Sequence, residues 1–322
     1  MIDWLSYRDT GIYCIPGDFY LDPHRPVARA VISHAHADHY PRYCHEVWAT
    51  DATLSIGKLR YLQTAAKLGH SCPMNDPIQI SSVSVRFLPA GHILGSAQVL
   101  LEYNGQRVLY TGDIGFDTNP TCAPLEYPAE HIDMMICEST FGEKQIHPEP
   151  EAALQHCLDQ AGKRPLLIAT YALGKAQRIN RLLHDLRPDL PVFVDRTITP
   201  IHHLYHQYGI DPGKHQVYRR QDVKRLHRQY VWLLPPKKLT GFAGDRLYHK
   251  VFASGWDNTH RSAWLNGRLE ISDHASQSEL LQYILNIRPK SVQFCHGYPQ
   301  SLISSCLENG IDAEEMSTSG NP

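Results

Sequence analysis

The segment at residues 34–39 reads HAHADH, in which histidine and aspartate alternate with alanine. Where a strand leads into it, His34 and His36 project to the same side, so that their two imidazoles can converge on one ion. Asp38 and His39, in the turn that follows, can serve a second ion close by. Neutral imidazole and carboxylate groups are ligands that suit zinc, manganese or iron. The segment therefore predicts a metal site.

Two further candidate ligands follow along the chain. His92 ends the triplet Ala-Gly-His, and Asp113 ends the triplet Thr-Gly-Asp. A carboxylate such as Asp113 can bridge two ions, with one oxygen on each. The combination predicts a site for two metal ions.

The elements that must position these residues form a mixed α/β pattern. Strands are predicted at 27–33, 83–88, 98–103, 107–110, 132–137 and 292–295, and helices at 149–161, 174–186, 201–208 and after a capping box at 276–279. Asn104-Gly105, between two of these strands, is typical of a hairpin turn. His34, Glu138 and His296 each directly follow a predicted strand. Because such sheets carry their chemistry at strand ends, we expect these side chains to meet.

The ordered set of HAHADH, His92 and Asp113 resembles the metallo-β-lactamase superfamily, whose fold is a four-layer αββα sandwich with the metals at one rim. Four further segments resemble motifs of its β-CASP branch, the nucleic-acid-processing nucleases. They are ICESTFG at 136–142, YALGKAQR at 171–178, SDHAS at 272–276 and CHGY at 295–298. The resemblance implies an α/β sandwich core at 1–142 and 269–322, with a β-CASP cap domain inserted at 143–268.

Three more segments narrow the resemblance. GDFYLDP at 17–23, PTCAP at 120–124 and FASGW at 252–256 are similar to the bacterial ligase-associated DNA exonucleases. Members of that group are found beside an ATP-dependent DNA ligase and a helicase. The resemblance therefore implies a functional link to both.

The resemblance also implies a role for each site residue. One ion would be held by His34, His36, His92 and Asp113, and the other by Asp38, His39, Asp113 and His296. Zinc is the expected metal, with manganese as the alternative. The implied catalytic residues are His274, Glu138 and Asp38. His274 would donate a proton to the departing sugar oxygen while Glu138 orients its imidazole. Asp22 is expected to anchor the histidine loop, with Asp18 as the alternative.

The expected substrate contacts lie in the added motifs and are Tyr171, Lys175, Arg178 and Ser272. Gly174, at the start of a predicted helix, would let a phosphate approach backbone N–H groups. A solvated helix face gives the same spacing of basic residues, and this alternative stays open.

The net charge of −2 hides an uneven distribution. Residues 143–261 hold 19 Lys and Arg against 11 Asp and Glu, whereas the remainder holds 12 against 22. Ten basic residues lie between Lys214 and Lys250, opposed only by Asp222 and Asp245. An acidic body with a basic module suits a metal-binding core beside a surface for a polyanion, here DNA as a single strand or a strand end. A solvated basic face is the alternative.

The eight cysteines form no CxxC pair, and no apolar run approaches the length of a membrane span. The residues after Met1 show neither the basic nor the apolar region of a secretory signal. These features predict reduced thiols, a cytoplasmic location and no membrane partner.

The resulting hypothesis is a metal-dependent DNA exonuclease that acts in DNA repair alongside an ATP-dependent ligase. RNA-processing members of the branch carry histidine at the motif of His296, so an RNA-processing β-CASP ribonuclease is the first alternative. A non-catalytic nucleic-acid-binding scaffold is the second, although none of the expected ligands is missing. The cap motifs argue against a hydrolase of small esters.

Overall fold

The computed structural model describes residues 2–62, 65–116, 118–143, 146–223, 229–256 and 263–317. The chain divides into two compact units. The core unit comprises residues 1–146 and 274–322, and the inserted unit comprises residues 147–273. The predicted domain borders, after 142 and after 268, lie a few residues before these divisions.

Among its described residues the core unit contains two sheets and three α-helices. The first sheet has the order β1-β2-β3-β4-β5-β6, with β1 Leu5–Arg8, β2 Gly11–Cys14, β3 Phe19–Leu21, β4 Arg29–Val31, β5 Glu46–Thr50 and β6 Leu68–Cys72. The second has the order β19-β18-β11-β10-β9-β8-β7, with β7 Ile78–Ile80, β8 Val83–Pro89, β9 Ala97–Tyr103, β10 Gln106–Tyr110, β11 Met134–Ser139, β18 Ser291–Gly297 and β19 Asp312–Glu315. The helices are α1 Asp51–Tyr61, α7 Gln277–Ile287 and α8 Gln300–Glu308.

Side chains along each strand of the second sheet point alternately to its two faces, which gives the core unit four layers. Val99 and Leu101 of β9 pack against residues of the first sheet such as Phe19, whereas Leu100 packs with Tyr283 of α7. Successive strand residues point to opposite faces, so one strand serves two cores. Helix α1 contacts β5 and β6 of the first sheet. The layers therefore run α1, first sheet, second sheet, α7 with α8, which confirms the predicted αββα sandwich.

The inserted unit is built on one parallel sheet. Its order is β14-β13-β15-β12-β16-β17, with β12 Leu166–Ala169, β13 Val192–Val194, β14 Gln216–Val217, β15 Val231–Leu234, β16 His249–Ala253 and β17 Gly267–Leu269. The helices are α2 Pro150–Ala161, α3 Lys175–Leu186, α4 Thr199–Gln207, α5 Arg220–Val223 and α6 Pro236–Leu239, followed by a short 3-10 helix at Thr240–Phe242.

Most predicted elements have counterparts in the structure. The hairpin turn at Asn104-Gly105 joins β9 to β10, and Ser276 with Glu279 forms the predicted capping box of α7. All eight cysteines are buried thiols. No helix within the described residues is long and apolar enough to cross a membrane.

Candidate metal centre

Strand ends in the core unit bring the predicted ligands together. His34 and His36 follow β4, His92 follows β8, and Asp113 follows β10. Nδ1 of His36 lies 3.1 Å from Nε2 of His34 and 3.1 Å from Nε2 of His92. Oδ2 of Asp113 lies 3.4 Å from His34 Nε2 and 3.6 Å from His92 Nε2.

The spacing of these four atoms fits a metal ion. Ligand atoms placed tetrahedrally at about 2.0–2.1 Å from zinc lie about 3.3 Å apart. The observed separations among His34, His36, His92 and Asp113 lie close to that value, and all their ligand atoms fall within 4.8 Å of one another. Burial lowers the pKa of His36 to about 4, so its ring is neutral at pH 7 and keeps a lone pair for a cation.

Asp113 also faces a second cluster. Its Oδ1 lies 3.3 Å from Nε2 of His39, while its Oδ2 faces the first cluster. Oδ2 of Asp38 lies 3.9 Å from the same His39 nitrogen, and the His296 ring centroid lies 5.7 Å from that of His39. Asp38 is 79% exposed in its side chain, and His296 is also exposed. The structure thus places all the predicted ligands of the second ion around His39, in a more open arrangement than the first site.

Asp22 connects both clusters. Its Oδ1 accepts the backbone N–H of Ser33 at 2.7 Å, and its Oδ2 accepts Nδ1–H of His39 at 2.7 Å and the Tyr110 hydroxyl at 3.0 Å. The Ser33 hydroxyl also bonds to Asp22 and lies 2.9 Å from Nδ1 of His34. One carboxylate therefore orients a histidine from each cluster, so that Nε2 of both rings points toward Asp113. Asp18 instead contacts Tyr13 at the surface.

The electrostatics of the second cluster favour a cation. Burial lowers the pKa of His39, but the carboxylates of Asp113 and Asp22 outweigh this effect and raise it to about 10. Burial raises the pKa of Asp113, yet the imidazoles of His39, His274 and His34 hold it well below its ordinary value. The carboxylate is thus ionised, and its negative field favours positive charge at this point.

The triplets that end in His92 and Asp113 each contain a glycine that the local backbone requires. Gly91 has φ +74°, and a Cβ there would lie 2.2 Å from the carbonyl oxygen of Gly115. Gly112 has φ +53°, and its Cβ would lie 2.7 Å from the Ser33 side chain. Both turns need a residue without a side chain, so the glycines let the ligand-bearing loops approach closely.

The buried Glu138 and the half-buried His274 form a pair beside this centre. Oε2 of Glu138 accepts from Nδ1 of His274 at 3.0 Å, and its Oε1 accepts the backbone N–H of Ile114 at 2.6 Å. Nε2 of His274 is then directed toward Oδ2 of Asp113, at 3.9 Å. The pair fixes one nitrogen of the ring and leaves the other facing the metal centre.

Sequence reasoning missed His24. Its ring centroid lies 5.9 Å from that of His296, and burial together with the imidazoles of His296 and His39 lowers the pKa of His24. The residue belongs to no predicted motif. Its position two residues after Asp22 was the only signal for it.

The predicted substrate contacts do not share one environment. Tyr171 is 57% exposed, but Lys175 is only 6% and Arg178 only 2% exposed, and Ser272 is also buried. The two cations bind Asp273 and the backbone oxygens of residues 271 and 272 within the inserted unit. Because their charges are neutralised inside the fold, Lys175 and Arg178 are not presented to a phosphate. Their burial fits neither the predicted phosphate contact of Lys175 and Arg178 nor the alternative of a solvated helix face for these two residues.

The basic run between Lys214 and Lys250 also contains a buried member. The Lys250 ammonium donates to the carbonyl oxygens of Phe242 at 3.0 Å and Asp245 at 2.6 Å. Lys238 pairs with Asp195 at 2.6 Å. The exposed members are Lys214, Arg219, Arg220, Lys237, Lys238 and Arg246, and Lys224, Arg225 and Arg228 lie outside the described residues.

Known proteins of similar sequence include ribonucleases and a probable DNA ligase. No protein-family model matches the chain. A probable DNA ligase of Opitutus terrae is 27% identical over 324 residues, covering 96% of this chain and 31% of that protein. An RNase J-like protein of Methanocaldococcus jannaschii is 26% identical, covering 62% of this chain and 55% of that protein. Ribonuclease TTHA0252 of Thermus thermophilus is 30% identical, covering 55% and 48%.

The chain thus spans about a third to about half of the length of these curated relatives. Among solved structures, a protein of unknown function from Enterococcus faecalis matches with a TM-score of 0.62 and 14% identity. That match covers 90% of this chain and 79% of the other, and it bears on the fold alone.

The four-layer sandwich and the histidine–aspartate cluster at its strand ends define a protein of the metallo-β-lactamase type. The sequence relatives indicate one branch of that class. The chain resembles the β-CASP branch of the metallo-β-lactamase superfamily.

The contacts of Asp22 predict how its loss affects metal binding. In Asp22→Ala the rings of His39 and His34 lose their orienting partner, and we expect metal affinity to fall by about 10- to 100-fold. Titration of the metal-free protein with zinc measures the change. Asp18→Ala is the matched control, and an equal effect of both substitutions would contradict the role given to Asp22.

Proposed function

We propose that this chain is a dinuclear metal-dependent phosphodiesterase, specifically a DNA exonuclease of the β-CASP branch. The observation that carries the proposal is the position of Asp113, whose two oxygens face two separate histidine clusters at 3.4 Å and 3.3 Å. Divalent ions bound there would supply an activated water and neutralise charge on a phosphate. The nitrogen and oxygen donors suit zinc, with manganese as the alternative.

The remaining chemistry belongs to His274. Its Nδ1–H donates to Glu138, so its Nε2 is the nitrogen available to a substrate. A proton held on Nε2 passes to the sugar oxygen as the phosphorus–oxygen bond breaks, so that the alcohol leaves neutral. Glu138 keeps the ring in this orientation and stabilises its charged form before transfer. Asp38 contributes an exposed carboxylate beside His39.

DNA as the substrate is supported by the extent of one comparison. The probable DNA ligase of Opitutus terrae aligns with 96% of this chain, whereas the RNase J-like protein aligns with 62% and ribonuclease TTHA0252 with 55%. An alignment over nearly the whole chain also supports a functional link to an ATP-dependent ligase, and with it a role in repair. The helicase link rests on the similar sequence segments alone.

RNA processing is the second candidate function. The ribonuclease names among the relatives favour it. His296, beside the second cluster, also favours it, because RNA-processing members of the branch carry histidine at this motif. Parallel digestion of DNA and RNA oligomers labelled at the 5′ or the 3′ end distinguishes the two. Successive shortening of DNA from one end supports the exonuclease. Cleavage of RNA but not DNA would replace it by the ribonuclease, and failure to cut either would favour a scaffold.

The bridging position of Asp113 predicts two metal ions per chain. Elemental analysis of metal-replete protein is expected to give about two, and Asp113→Asn is expected to retain fewer than one because both clusters lose a shared ligand. Asp312→Asn, an exposed carboxylate of the same unit, should leave the count unchanged. One ion or none in the wild-type protein would refute the dinuclear site.

The general-acid role predicts a selective loss in His274→Ala. Turnover should fall by roughly 100- to 10,000-fold while the metal content stays the same. His131→Ala, an exposed histidine, is the control. Oxygen and nitrogen atoms of Asp113, Glu138 and His274 also lie within 4.8 Å of one another. Loss of an ion in His274→Ala would therefore make His274 a ligand instead of an acid.

The exposed part of the basic run predicts salt-dependent binding. Arg219→Gln with Arg220→Gln should weaken binding of a polynucleotide, and the slope of log affinity against log salt should shrink by about 0.7 for each phosphate that the variant no longer neutralises. Lys58→Gln with Lys67→Gln, two exposed cations of the core unit, is the matched control. An unchanged slope in the arginine variant would mean that these arginines are only solvated.

A further inference from the structure

Three histidines of the inserted unit lie where α4 meets the segment before β14. His202 and His206 are four residues apart on α4, so they lie on one face of the helix, and His215 directly precedes β14. The ring centroids of His202 and His215 lie 4.5 Å apart. Nε2 of His206 lies 4.0 Å from Oδ1 of Asp211. Three imidazoles and a carboxylate of one unit are thus neighbours.

His202 is fully buried, yet one of its ring nitrogens has no hydrogen-bond partner. Its Nδ1 lies 3.2 Å from the amide nitrogen of Gln177 and 3.4 Å from the carbonyl oxygen of Ile198. Its Nε2 is buried and has no partner. Buried polar atoms in folded proteins nearly always have one, so this nitrogen needs an explanation. An ion that accepts its lone pair would supply it.

The surroundings of both rings suit metal ligands. Nδ1 of His215 lies 3.1 Å from the carbonyl oxygen of Gly213, as Nδ1 of His202 lies near that of Ile198. A ring that donates its Nδ1–H to a carbonyl oxygen keeps a lone pair on Nε2, which is the usual state of a metal-binding histidine. Burial lowers the pKa of His202 to about 3 and also lowers the pKa of His215. Both rings are therefore neutral at pH 7 and can bind a cation.

The separation of these rings is close to that in the candidate metal centre of the core unit. There the ring centroids of His34, His36 and His92 lie 4.9 Å apart in each pair. The 4.5 Å between His202 and His215 differs from this by only a few tenths of an ångström. Two imidazoles at such a distance can share one ion.

His206 completes the cluster from a more exposed position. Its imidazole lowers the pKa of both His202 and His215, and the Asp211 carboxylate raises that of His215, so the four groups affect one another. Among the described residues, three or more ligand atoms lie within 4.8 Å of one another only in the core unit, so this cluster is the more open one. The His206 side chain is 47% exposed and has room to turn toward the buried rings.

The segment from Asp211 to His215 is held in place by its own contacts. Oδ1 of Asp211 accepts the backbone N–H of Gly213 at 2.9 Å, and its Oδ2 lies 3.4 Å from the guanidinium of Arg181. Nδ2 of Asn180 in α3 donates to the carbonyl oxygen of Gly213 at 3.0 Å. Carboxylates that bind metals are commonly hydrogen-bonded in this way. The fold therefore presents Asp211 and His215 to α4 before any ion binds.

We propose that His202, His206, His215 and Asp211 form a separate zinc site within the inserted unit. Three imidazoles and a carboxylate fill a four-coordinate zinc shell, which is typical of a structural ion. The ion would join α4 to the segment before β14 and so stabilise the inserted unit. Because the cluster is more open than the core centre, zinc binds here more weakly and is lost on desalting. The site does not depend on the proposed nuclease function, which concerns the core unit.

The test measures zinc that the full-length protein binds beyond its core centre. Zinc-loaded protein is desalted and then dialysed against buffered free zinc, and about one further ion per chain should bind. His206→Ala and His215→Ala should each weaken this additional binding by at least about 10-fold. His203→Ala, an exposed neighbour on the same helix, is the matched control and should bind the ion as the wild type does.

Hydrogen–deuterium exchange locates the additional ion. Zinc added to the desalted protein should slow amide exchange in residues 199–217, because an ion that joins α4 to the following segment suppresses local opening. The same addition should leave exchange in His206→Ala unchanged. Since the His206 side chain is half-exposed, this variant provides the test even where His215→Ala does not fold.

The outcomes separate this site from the core centre. Failure of the wild type to bind a further ion would overturn the inference. An additional ion that is retained in both His206→Ala and His215→Ala lies elsewhere, and one that is lost equally in His203→Ala is held by surface histidines in general; either result makes the inference wrong. Asp113→Asn, which removes the bridging ligand of the core centre, should still bind the ion of the inserted unit.

Discussion

The buried carboxylate of Asp113 lies within 3.9 Å of ring nitrogens from His34, His39, His92 and His274. An ionised carboxylate taken out of water is costly unless positive charge or strong hydrogen bonds surround it. Burial raises the pKa of Asp113, but the neighbouring imidazoles hold it well below its ordinary value. The pKa of His39 rises in turn to about 10, because the carboxylates of Asp113 and Asp22 outweigh the effect of burial. A metal ion on either side of the Asp113 carboxylate would also supply the positive charge that it needs. The rest of the core unit serves to hold these groups around one charge.

The order of the strands makes this convergence possible. Strands β8 and β10 are both antiparallel to β9, and β11 and β18 are parallel to β10 in turn, so these four strands run in one direction. Their carboxyl ends therefore meet at one edge of the second sheet. His92 and Asp113 follow β8 and β10 there, and Glu138 and His296 are the penultimate residues of β11 and β18. The backbone N–H of Ala97 donates to the Ser33 carbonyl oxygen at 2.9 Å, which ties the loop carrying His34 to this edge. A candidate metal centre with residues from both sheets results.

Sequence patterns predicted the parts of this site that depend on neighbours in the chain. The HAHADH segment, the glycine triplets and the residues after predicted strands were all visible locally. The inserted sheet was not, because strands such as LLIA at β12 are short and buried along their whole length, so they show no alternation. The environment of Lys175 and Arg178 was equally hidden. Arg178 and its partner Asp273 are 95 positions apart in the chain, and a basic residue on a helix gives no sign of such a partner.

Formal charge accordingly describes the inserted unit poorly. Lys250 is occupied by backbone oxygens, Lys238 by Asp195, and Lys175 with Arg178 by Asp273. Cations that are buried or already paired with a carboxylate add little to attraction for a polyanion, so fewer phosphate contacts are available than the count of basic residues indicates. Phosphate contacts are also the same for both nucleic acids. Under the proposed function, discrimination between DNA and RNA would therefore have to come from groups that sense the sugar 2′ position or the bases.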